Sequence, residues 1–292
     1  MEAQLRGYLS TPCRTVTCYP CGWTHRAICQ RLFLDSKHSD LGQPGLVETV
    51  IRRSSRRQFV HALAGGLGGV LLGSRRFAFA AGSIAVDDKS VLIVVDVQNC
   101  FLPGGSLAVR DGEQVVPVIN RIAQKFAHVV LTQDWHTPGH ISFASAHPGK
   151  ASFEVIKLPY GDQVLWPDHC VQGTSGADIS KEISIPHAEL VVRKGFNKNM
   201  DSYSAFLEAD HKTPTGLAGY LKERVLTRVF VAGLATDFCV AWTAMDAQRL
   251  GFETFVIDDA SRGIDNRGSL AAAWTAMQNA GVKRIKSDDL AA

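Results

Sequence analysis

The sequence predicts a three-layer α/β/α fold with a central, mainly parallel six-stranded sheet. Two observations carry this prediction. Apolar, β-branched runs alternate with helical patterns from residue 90 onward, and the run 91–97 is almost continuously apolar, as in a parallel strand buried on both faces. Such alternation implies right-handed crossovers and one sheet that is covered by helices on both sides.

The pattern predicts six strands and four helices in the body of the chain. Segment 113–127 spaces its apolar residues by three and four, which is the periodicity of an amphipathic helix. The predicted strands are 91–97, 128–132, 189–195, 228–235, 253–259 and 282–287. The predicted helices are 113–127, 216–225, 237–251 and 267–281. Parallel sheets bind ligands beyond the carboxyl ends of their strands, so we expect the functional site at that edge.

The chain of 292 residues joins a basic front to a mildly acidic body. Residues 1–80 carry eleven Lys/Arg against four Asp/Glu, a net charge of +7, and residues 81–292 carry twenty against twenty-four, a net charge of −4. The composition, 46% hydrophobic and 20% charged, is ordinary for a globular protein. The body shows no basic footprint typical of nucleic-acid binding.

Residues 54–80 resemble a twin-arginine export signal. Arg56 and Arg57 precede an uncharged, Gly-rich stretch that is too short to span a bilayer. The following residues from Ala78 to Ala80 form the small-x-small pattern that a signal peptidase accepts. We therefore expect the twin-arginine translocation machinery to export the chain to the periplasm, with cleavage after Ala80. The alternative is a basic linker on a cytoplasmic protein.

Residues 1–53 hold four of the seven cysteines but predict no fold. Cys18 and Cys21 with His25 and Cys29 could be drawn as a zinc site, yet no helical or strand periodicity surrounds them. We expect this segment to be disordered, or to result from a start codon placed too far upstream. No chemistry is assigned to it.

Four consecutive predicted strands deliver reactive side chains to one edge of the sheet. The first strand ends at Asp96, the second leads into Asp134 and His136, the third reaches Lys194, and the fourth leads to Cys239 on the first turn of a helix. A lone cysteine is usually structural, but a helix N-terminus favours its thiolate. A nearby carboxylate can accept the thiol proton and an ammonium group can stabilise the thiolate. The combination predicts that Cys239 is a nucleophile.

Five segments of the body occur in an order that is typical of a known family. They are IVVDVQNCFLPGGSLAV (93–109), TQDWHTPGHISFAS (132–145), WPDHCVQGT (166–174), VRKGFNKNMDSYSAF (192–206) and VAGLATDFCV (231–240). In this order they resemble the signatures of bacterial nicotinamidases/pyrazinamidases, members of the isochorismatase-like cysteine hydrolase superfamily. The resemblance covers about residues 88–288, so 81–292 would be the hydrolase domain.

The resemblance implies hydrolysis of nicotinamide, and of pyrazinamide, to the acid and ammonia through a thioester. The product nicotinate would serve salvage of the pyridine ring. The alternatives are another hydrolase of the superfamily, such as an isochorismatase or a ureide or N-carbamoyl amidase, and a non-catalytic binder of nicotinamide or metal. The sequence predicts no oligomeric state.

The catalytic residues that the resemblance implies lie on the strand ends described above. The triad would be Asp96, Lys194 and Cys239. A cis peptide bond would join Leu234 to Ala235, and the backbone N–H groups of Ala235 and Cys239 would form the oxyanion hole.

The substrate pocket that the resemblance implies has aromatic walls. These would be Phe101, Trp166 and Tyr203. This chain has Cys100 where the family commonly has Asp, so we expect an additional thiol near the pocket mouth that is open to oxidation. Neither this cysteine nor Cys170 is expected to need a disulfide partner.

The metal ligands that the resemblance implies are Asp134, His136 and His169. His140 matches a position that is a ligand in some members and is left to bound water in others. Two imidazoles and a carboxylate suit one divalent transition metal, Zn²⁺, Fe²⁺ or Mn²⁺, with open positions for water and substrate. The pyridine nitrogen of nicotinamide would bind there, which would place the carboxamide carbon over the nucleophile.

Overall fold

The computed structural model of the chain describes residues 83–291. The predicted extension 1–53 and the predicted export signal 54–80 lie outside the described residues. Within the described part, no helix is both long and apolar enough to cross a membrane.

Ten strands and four α-helices make up the regular structure of residues 83–291. The strands are β1 (Ile84–Ala85), β2 (Ser90–Val95), β3 (His128–Asp134), β4 (Val155–Leu158), β5 (Gly161–Val164), β6 (Leu190–Lys194), β7 (Arg228–Leu234), β8 (Glu253–Arg262), β9 (Lys283–Ile285) and β10 (Leu290–Ala291). The α-helices are α1 (Val115–Ala123), α2 (Leu217–Glu223), α3 (Ala241–Arg249) and α4 (Ser269–Asn279). Single 3-10 turns lie at Asn99–Phe101, Gly112–Gln114, Ala144–Ala146, Ser175–Ala177, Asn266–Gly268 and Ser287–Asp289.

The central sheet contains all six predicted strands and is parallel throughout. Its order is β6-β3-β2-β7-β8-β9, so the predicted sheet is confirmed. Two small additional pairs, β1 with β10 and β4 with β5, were not predicted. Strands β1 and β10 have two residues each, which is too short to give a periodic signal.

The hydrophobic core lies on both faces of this sheet. Along β2, Leu92 and Val94 point into the cluster that includes α1, whereas Val91, Ile93 and Val95 point into the cluster that includes α2, α3 and α4. This alternation follows from the two-residue period of a strand. Burial of each such side chain contributes roughly 1.5–3 kcal/mol. The result is the predicted three-layer arrangement, with one helix on one face and three on the other.

The third predicted helix, 237–251, needs a correction at its start. It begins as a π-helical turn, Thr236–Val240, which leads directly into α3. Within this turn the N–H of Val240 donates to the carbonyl of Ala235, five residues earlier, at 3.1 Å. Cys239 therefore lies in a wider turn than an α-helix would give it.

Candidate active site

The three residues of the predicted triad meet at the carboxyl edge of the sheet. Asp96 directly follows β2, Lys194 ends β6, and Cys239 lies in the π-helical turn after β7. The Nζ of Lys194 lies 2.8 Å from Oδ2 of Asp96 and 3.3 Å from Sγ of Cys239. All three side chains are buried. The structure thus brings a thiol, a carboxylate and an ammonium group into contact.

Hydrogen bonds hold this group in place from the neighbouring strand. Lys194 also donates to Oδ1 of Asp134 at 2.5 Å and to the carbonyl of Ser202 at 3.1 Å. Lys194 and Asp134 are paired residues of β6 and β3. Thr132, on β3, donates its hydroxyl to Oδ1 of Asp96 at 2.5 Å and accepts the backbone N–H of Asp96 at 3.1 Å. Because Thr132 and Asp134 are both on β3, one strand holds Asp96 and Lys194 in position relative to each other.

The charges in this group differ from the expectation for a helix N-terminus. Burial raises the pKa of the Cys239 thiol well above its usual value, although Lys194 opposes the shift. Burial also raises the pKa of Asp96. Burial alone would lower the pKa of Lys194, but Asp134 and Asp96 outweigh it and the pKa lies well above the usual range. Burial therefore opposes the thiolate that a helix N-terminus favours, and it also favours a proton on the neighbouring carboxylate.

The backbone that precedes Cys239 has the conformation that the resemblance implies. The peptide bond between Leu234 and Ala235 is cis. Ala235 and Cys239 both line the cavity described below. The role of their N–H groups as an oxyanion hole stays a prediction.

Three residues on the other side of Lys194 form a group that fits a metal ion. The ligand atoms of Asp134, His136 and His169 all lie within 4.8 Å of one another. The Nδ1 atoms of the two histidines lie 2.9 Å from backbone carbonyls, those of Gly195 and Pro167. Donation from Nδ1–H leaves the lone pair on Nε2, and the two Nε2 atoms lie 3.6 and 3.8 Å from Oδ2 of Asp134. Two imidazole nitrogens and a carboxylate oxygen thus converge on one point, as a divalent transition metal requires.

The loops behind the two histidines are tightly fitted. A Cβ atom added at Gly195, whose φ is +66°, would lie 2.6 Å from Cε1 of His136. The N–H of His136 donates to the carbonyl of Cys170 at 3.0 Å, and the N–H of Gln172 donates to the carbonyl of His136 at 2.9 Å. These backbone bonds link the loop of His136 to the loop that carries His169.

The protonation of the group without metal follows from its contacts. Burial and the neighbouring His136 lower the pKa of His169 to about 4. Burial alone would lower the pKa of His136, but the Asp134 carboxylate outweighs it and raises the pKa. Burial would raise the pKa of Asp134, yet Lys194 and His136 together hold it far below its usual value. At neutral pH His169 is therefore neutral and Asp134 is ionised.

His140, which the resemblance offers as an extra ligand, is not brought into the group of Asp134, His136 and His169. Its Nδ1 accepts the backbone N–H of Ser142 at 3.3 Å and lies 2.8 Å from the Ser142 hydroxyl. Its Nε2 lies 2.8 Å from the carbonyl of Asn197. Both ring nitrogens thus lie within hydrogen-bond distance of neighbouring groups of the protein.

A cavity lies between Cys239 and the metal-ligand group. The three predicted aromatic residues, Phe101, Trp166 and Tyr203, line it. Trp166 donates its indole N–H to the Tyr203 hydroxyl at 2.9 Å, which fixes the two rings relative to each other. The cavity is lined by aromatic rings and by ionisable groups, which suits a small planar ligand with a polar substituent.

Sequence reasoning missed four further residues of the cavity wall. They are Leu107, Asp201, Phe238 and Ile264. Phe238 precedes the nucleophile, and Asp201 lies within a quoted motif without having been given a role. Ile264 follows β8, another strand whose carboxyl end reaches the same edge, so the strand-end rule could have indicated its loop.

Cys100 and Cys170 form a disulfide, which corrects two expectations. Their Cα atoms are 5.7 Å apart, and both residues are 1% exposed. Cys100 is therefore neither a free thiol nor at the pocket mouth. The bond joins the residue before Phe101 to the residue after His169. Cys239 is the free cysteine among residues 83–291.

Fold and site together define a hydrolase with a three-layer α/β/α fold, a buried cysteine and a metal-ligand group. The chain belongs to the isochorismatase-domain family, whose sequence profile matches residues 90–289. A curated nicotinamidase of Acinetobacter baylyi is 57% identical over 203 residues, which are 70% of this chain and 95% of the relative.

Solved structures of similar proteins agree with this assignment. The Acinetobacter baumanii nicotinamidase/pyrazinamidase is 60% identical with a TM-score of 0.69, covering 70% of this chain and 98% of that one. A protein of L. infantum solved in complex with nicotinate is 38% identical with a TM-score of 0.63, at 72% and 98% coverage. The pyrazinamidase of Pyrococcus horikoshii, solved in complex with zinc, is 33% identical with a TM-score of 0.56, at 68% and 99% coverage.

Proposed function

We propose that this protein is a metal-dependent cysteine amidohydrolase that converts nicotinamide to nicotinate and ammonia, and that it also accepts pyrazinamide. The observation that carries the proposal is the contact of Lys194 with both Asp96 and Cys239, together with the position of Cys239 in the wall of an aromatic cavity. The similarity to nicotinamidases supports the choice of substrate.

The first half of the reaction forms a thioester on Cys239. Asp96 accepts the thiol proton, and the thiolate attacks the carboxamide carbon. Lys194 stabilises the ionised forms of both groups, because its own charge is fixed by the surrounding carboxylates. The N–H groups of Ala235 and Cys239 donate to the oxyanion. Asp96 returns the proton to the amide nitrogen, the C–N bond breaks, and ammonia leaves.

The second half hydrolyses the thioester. Asp96 accepts a proton from a water molecule that attacks the acyl carbon, and the same proton returns to the Cys239 sulfur as the C–S bond breaks. Nicotinic acid leaves as nicotinate after losing its proton to solvent. Asp96 thus acts as a base and then as an acid in each half of the reaction. A raised pKa helps its carboxyl group to hold the proton between these two steps.

Asp134, His136 and His169 would hold one divalent metal ion, which we propose to be Zn²⁺, Fe²⁺ or Mn²⁺. When bound, it supplies a Lewis-acid contact for the pyridine nitrogen and so orients the ring. Phe101, Trp166 and Tyr203 enclose that ring. The nucleophile is the cysteine, so the metal need not activate water.

The cellular location of the enzyme is a separate proposal. We propose that residues 54–80 direct it through the twin-arginine machinery to the periplasm, where nicotinate is released for salvage of the pyridine ring. The disulfide between Cys100 and Cys170 supports an oxidising compartment. Changing Arg56 and Arg57 to Lys should keep the activity inside the cell with the leader uncleaved. Wild-type activity that stays cytoplasmic with residues 54–80 attached would contradict export.

The activity is tested by ammonia release from nicotinamide with the purified protein, before and after chelator treatment. We expect release that falls after chelation and returns with added metal. An N-carbamoyl amide and isochorismate serve as substrates for the alternative activities. Turnover of either of these, without release from nicotinamide, would overturn the proposal, and binding of nicotinamide without ammonia release would indicate a non-catalytic binder.

A further inference from the structure

Asp201 is a buried carboxylate in the cavity wall to which the mechanism above gives no role. It lies in the loop between β6 and α2 and is 1% exposed. Its Oδ1 accepts the N–H of Ser202 at 2.8 Å, and its Oδ2 accepts the side-chain amide of Gln163 at 2.8 Å. Both donors are neutral. A buried anion is costly unless a positive charge or a metal ion compensates it, so two neutral donors leave this carboxylate incompletely stabilised.

The position of Asp201 connects it to the metal-ligand group. One of its carboxylate oxygens lies within 4.8 Å of ring nitrogens of both His136 and His140. It is not among the group formed by Asp134, His136 and His169. This proximity puts the carboxylate near enough to the metal-ligand group for its charge to act on a bound ion.

The charge count of the site favours the same interpretation. Asp96 and Asp134 bring two negative charges, and Lys194, in contact with both, brings one positive charge. With neutral imidazoles, a divalent ion leaves this cluster at +1. One more carboxylate brings the buried site to neutrality, which lowers the cost of holding the ion away from solvent.

We infer that Asp201 is a positioning residue of the metal centre, whose buried carboxylate strengthens metal binding through its charge. This inference rests on the metal centre of the proposed function. It assigns Asp201 no part in bond making or breaking.

The test measures metal affinity directly. Full-length wild-type protein and Asp201→Asn are stripped with a chelator, and Zn²⁺ is titrated in competition with a chromophoric chelator. The Asn side chain has the size of the Asp side chain and still offers an oxygen that accepts from the Gln163 amide, but it carries no charge. We expect an affinity for Zn²⁺ about 10- to 100-fold weaker, which is typical for loss of an outer partner of a metal site. An affinity within about twofold of wild type would overturn the inference.

Two further variants separate charge from packing. Glu208→Gln removes another buried carboxylate of the same loop, one that accepts from Asn197 at 3.4 Å, and should leave the affinity within about twofold. Asp201→Glu keeps the charge and should bind Zn²⁺ more tightly than Asp201→Asn. An equal loss in both variants at Asp201 would show that the charge is not what matters. The melting temperatures of the metal-free proteins report whether the fold is intact.

The outcome is distinguishable from failure of the proposed function. If wild-type protein binds Zn²⁺ but releases no ammonia from nicotinamide, the proposed activity is contradicted. The titration of the Asp201 variants still decides whether Asp201 contributes to metal binding. If wild-type protein binds no Zn²⁺, the metal centre itself is absent and the inference fails with it. At saturating Zn²⁺, Asp201→Asn should recover most of the wild-type kcat, and a kcat that stays a hundredfold lower would contradict a role in metal binding alone.

Discussion

The two halves of the active site are built in different ways. The catalytic half (Asp96, Lys194 and Cys239) stands at the ends of β2, β6 and β7, within or next to the sheet. In the metal half, Asp134 ends β3, but His136 and His169 lie in the long excursion between β3 and β6.

This difference shows that the groups that react and the groups that orient the substrate depend on different parts of the fold. Strand ends in one parallel sheet fix the reacting groups to each other through the ladder itself. The loop ligands depend instead on backbone carbonyls, an isolated bridge between His136 and Val171, and a disulfide. The metal half should therefore be removable while the catalytic half stays intact.

The largest expected effect is on the catalytic half. Cys239→Ala should lower kcat at least about a hundredfold, or about 2.7 kcal/mol, because no other nucleophile takes its place. The metal content and the nicotinamide dissociation constant should stay near wild type, since the metal half is untouched. Asp96→Asn should lose comparable activity because an amide cannot accept the thiol proton. Residual activity above roughly a hundredth in Cys239→Ala would place the nucleophile elsewhere.

Removing one metal ligand should abolish metal binding and leave the catalytic half unchanged. His169→Ala should lose the bound metal, which is expected at about one ion per chain in the wild type, and should raise KM for nicotinamide. The Cys239 thiol should still react with an alkylating reagent at a rate similar to that of chelator-treated wild type. Elemental analysis and alkylation kinetics check the two halves separately. Full metal content in His169→Ala would remove this residue from the ligand set.

The pH dependence of metal affinity should report one histidine rather than two. The pKa of His136 is raised above its ordinary 6.5, and that of His169 is lowered to about 4. A metal ion must displace the proton from His136, so affinity should fall as pH decreases. Between about pH 5 and 6 the slope should correspond to one proton per ion, and it should approach two only below about pH 4. Calorimetry in buffers of different ionisation enthalpy measures this count, and two protons at pH 6 would contradict the assignment.

The smallest effect is expected at His140. His140→Ala should weaken metal affinity by less than about tenfold, because both ring nitrogens bond to the loop and not to the ion. His136→Ala is the matched comparison and should lose the metal. Equal losses in the two variants, measured by competition with a chelator, would make His140 a ligand after all.

Residues at or just beyond strand ends could be predicted from the sequence, whereas residues farther along the loops could not. Asp96, Lys194 and Cys239 follow from strand patterns and the rule that ligands bind at carboxyl ends. His169 lies in a loop without periodicity, and only the resemblance to a family pointed to it. Asp201 and Ile264 were missed because loop conformation brings them to the cavity. The partnership of Cys100 with Cys170 was missed for the same reason, since their approach depends on how the excursion folds back.

The disulfide has a topological consequence. It closes a covalent ring across a sequence separation of 70 residues. Asp134, His136 and His169 all lie within that ring, whereas Asp96, Lys194 and Cys239 all lie outside it. Closing a ring of this length removes about 4 kcal/mol of conformational entropy from the unfolded chain, most directly from the segment that holds the metal ligands. Even in an unfolded chain the three ligands would stay tethered to one another, while the nucleophile and its partners would be joined to them only by open chain.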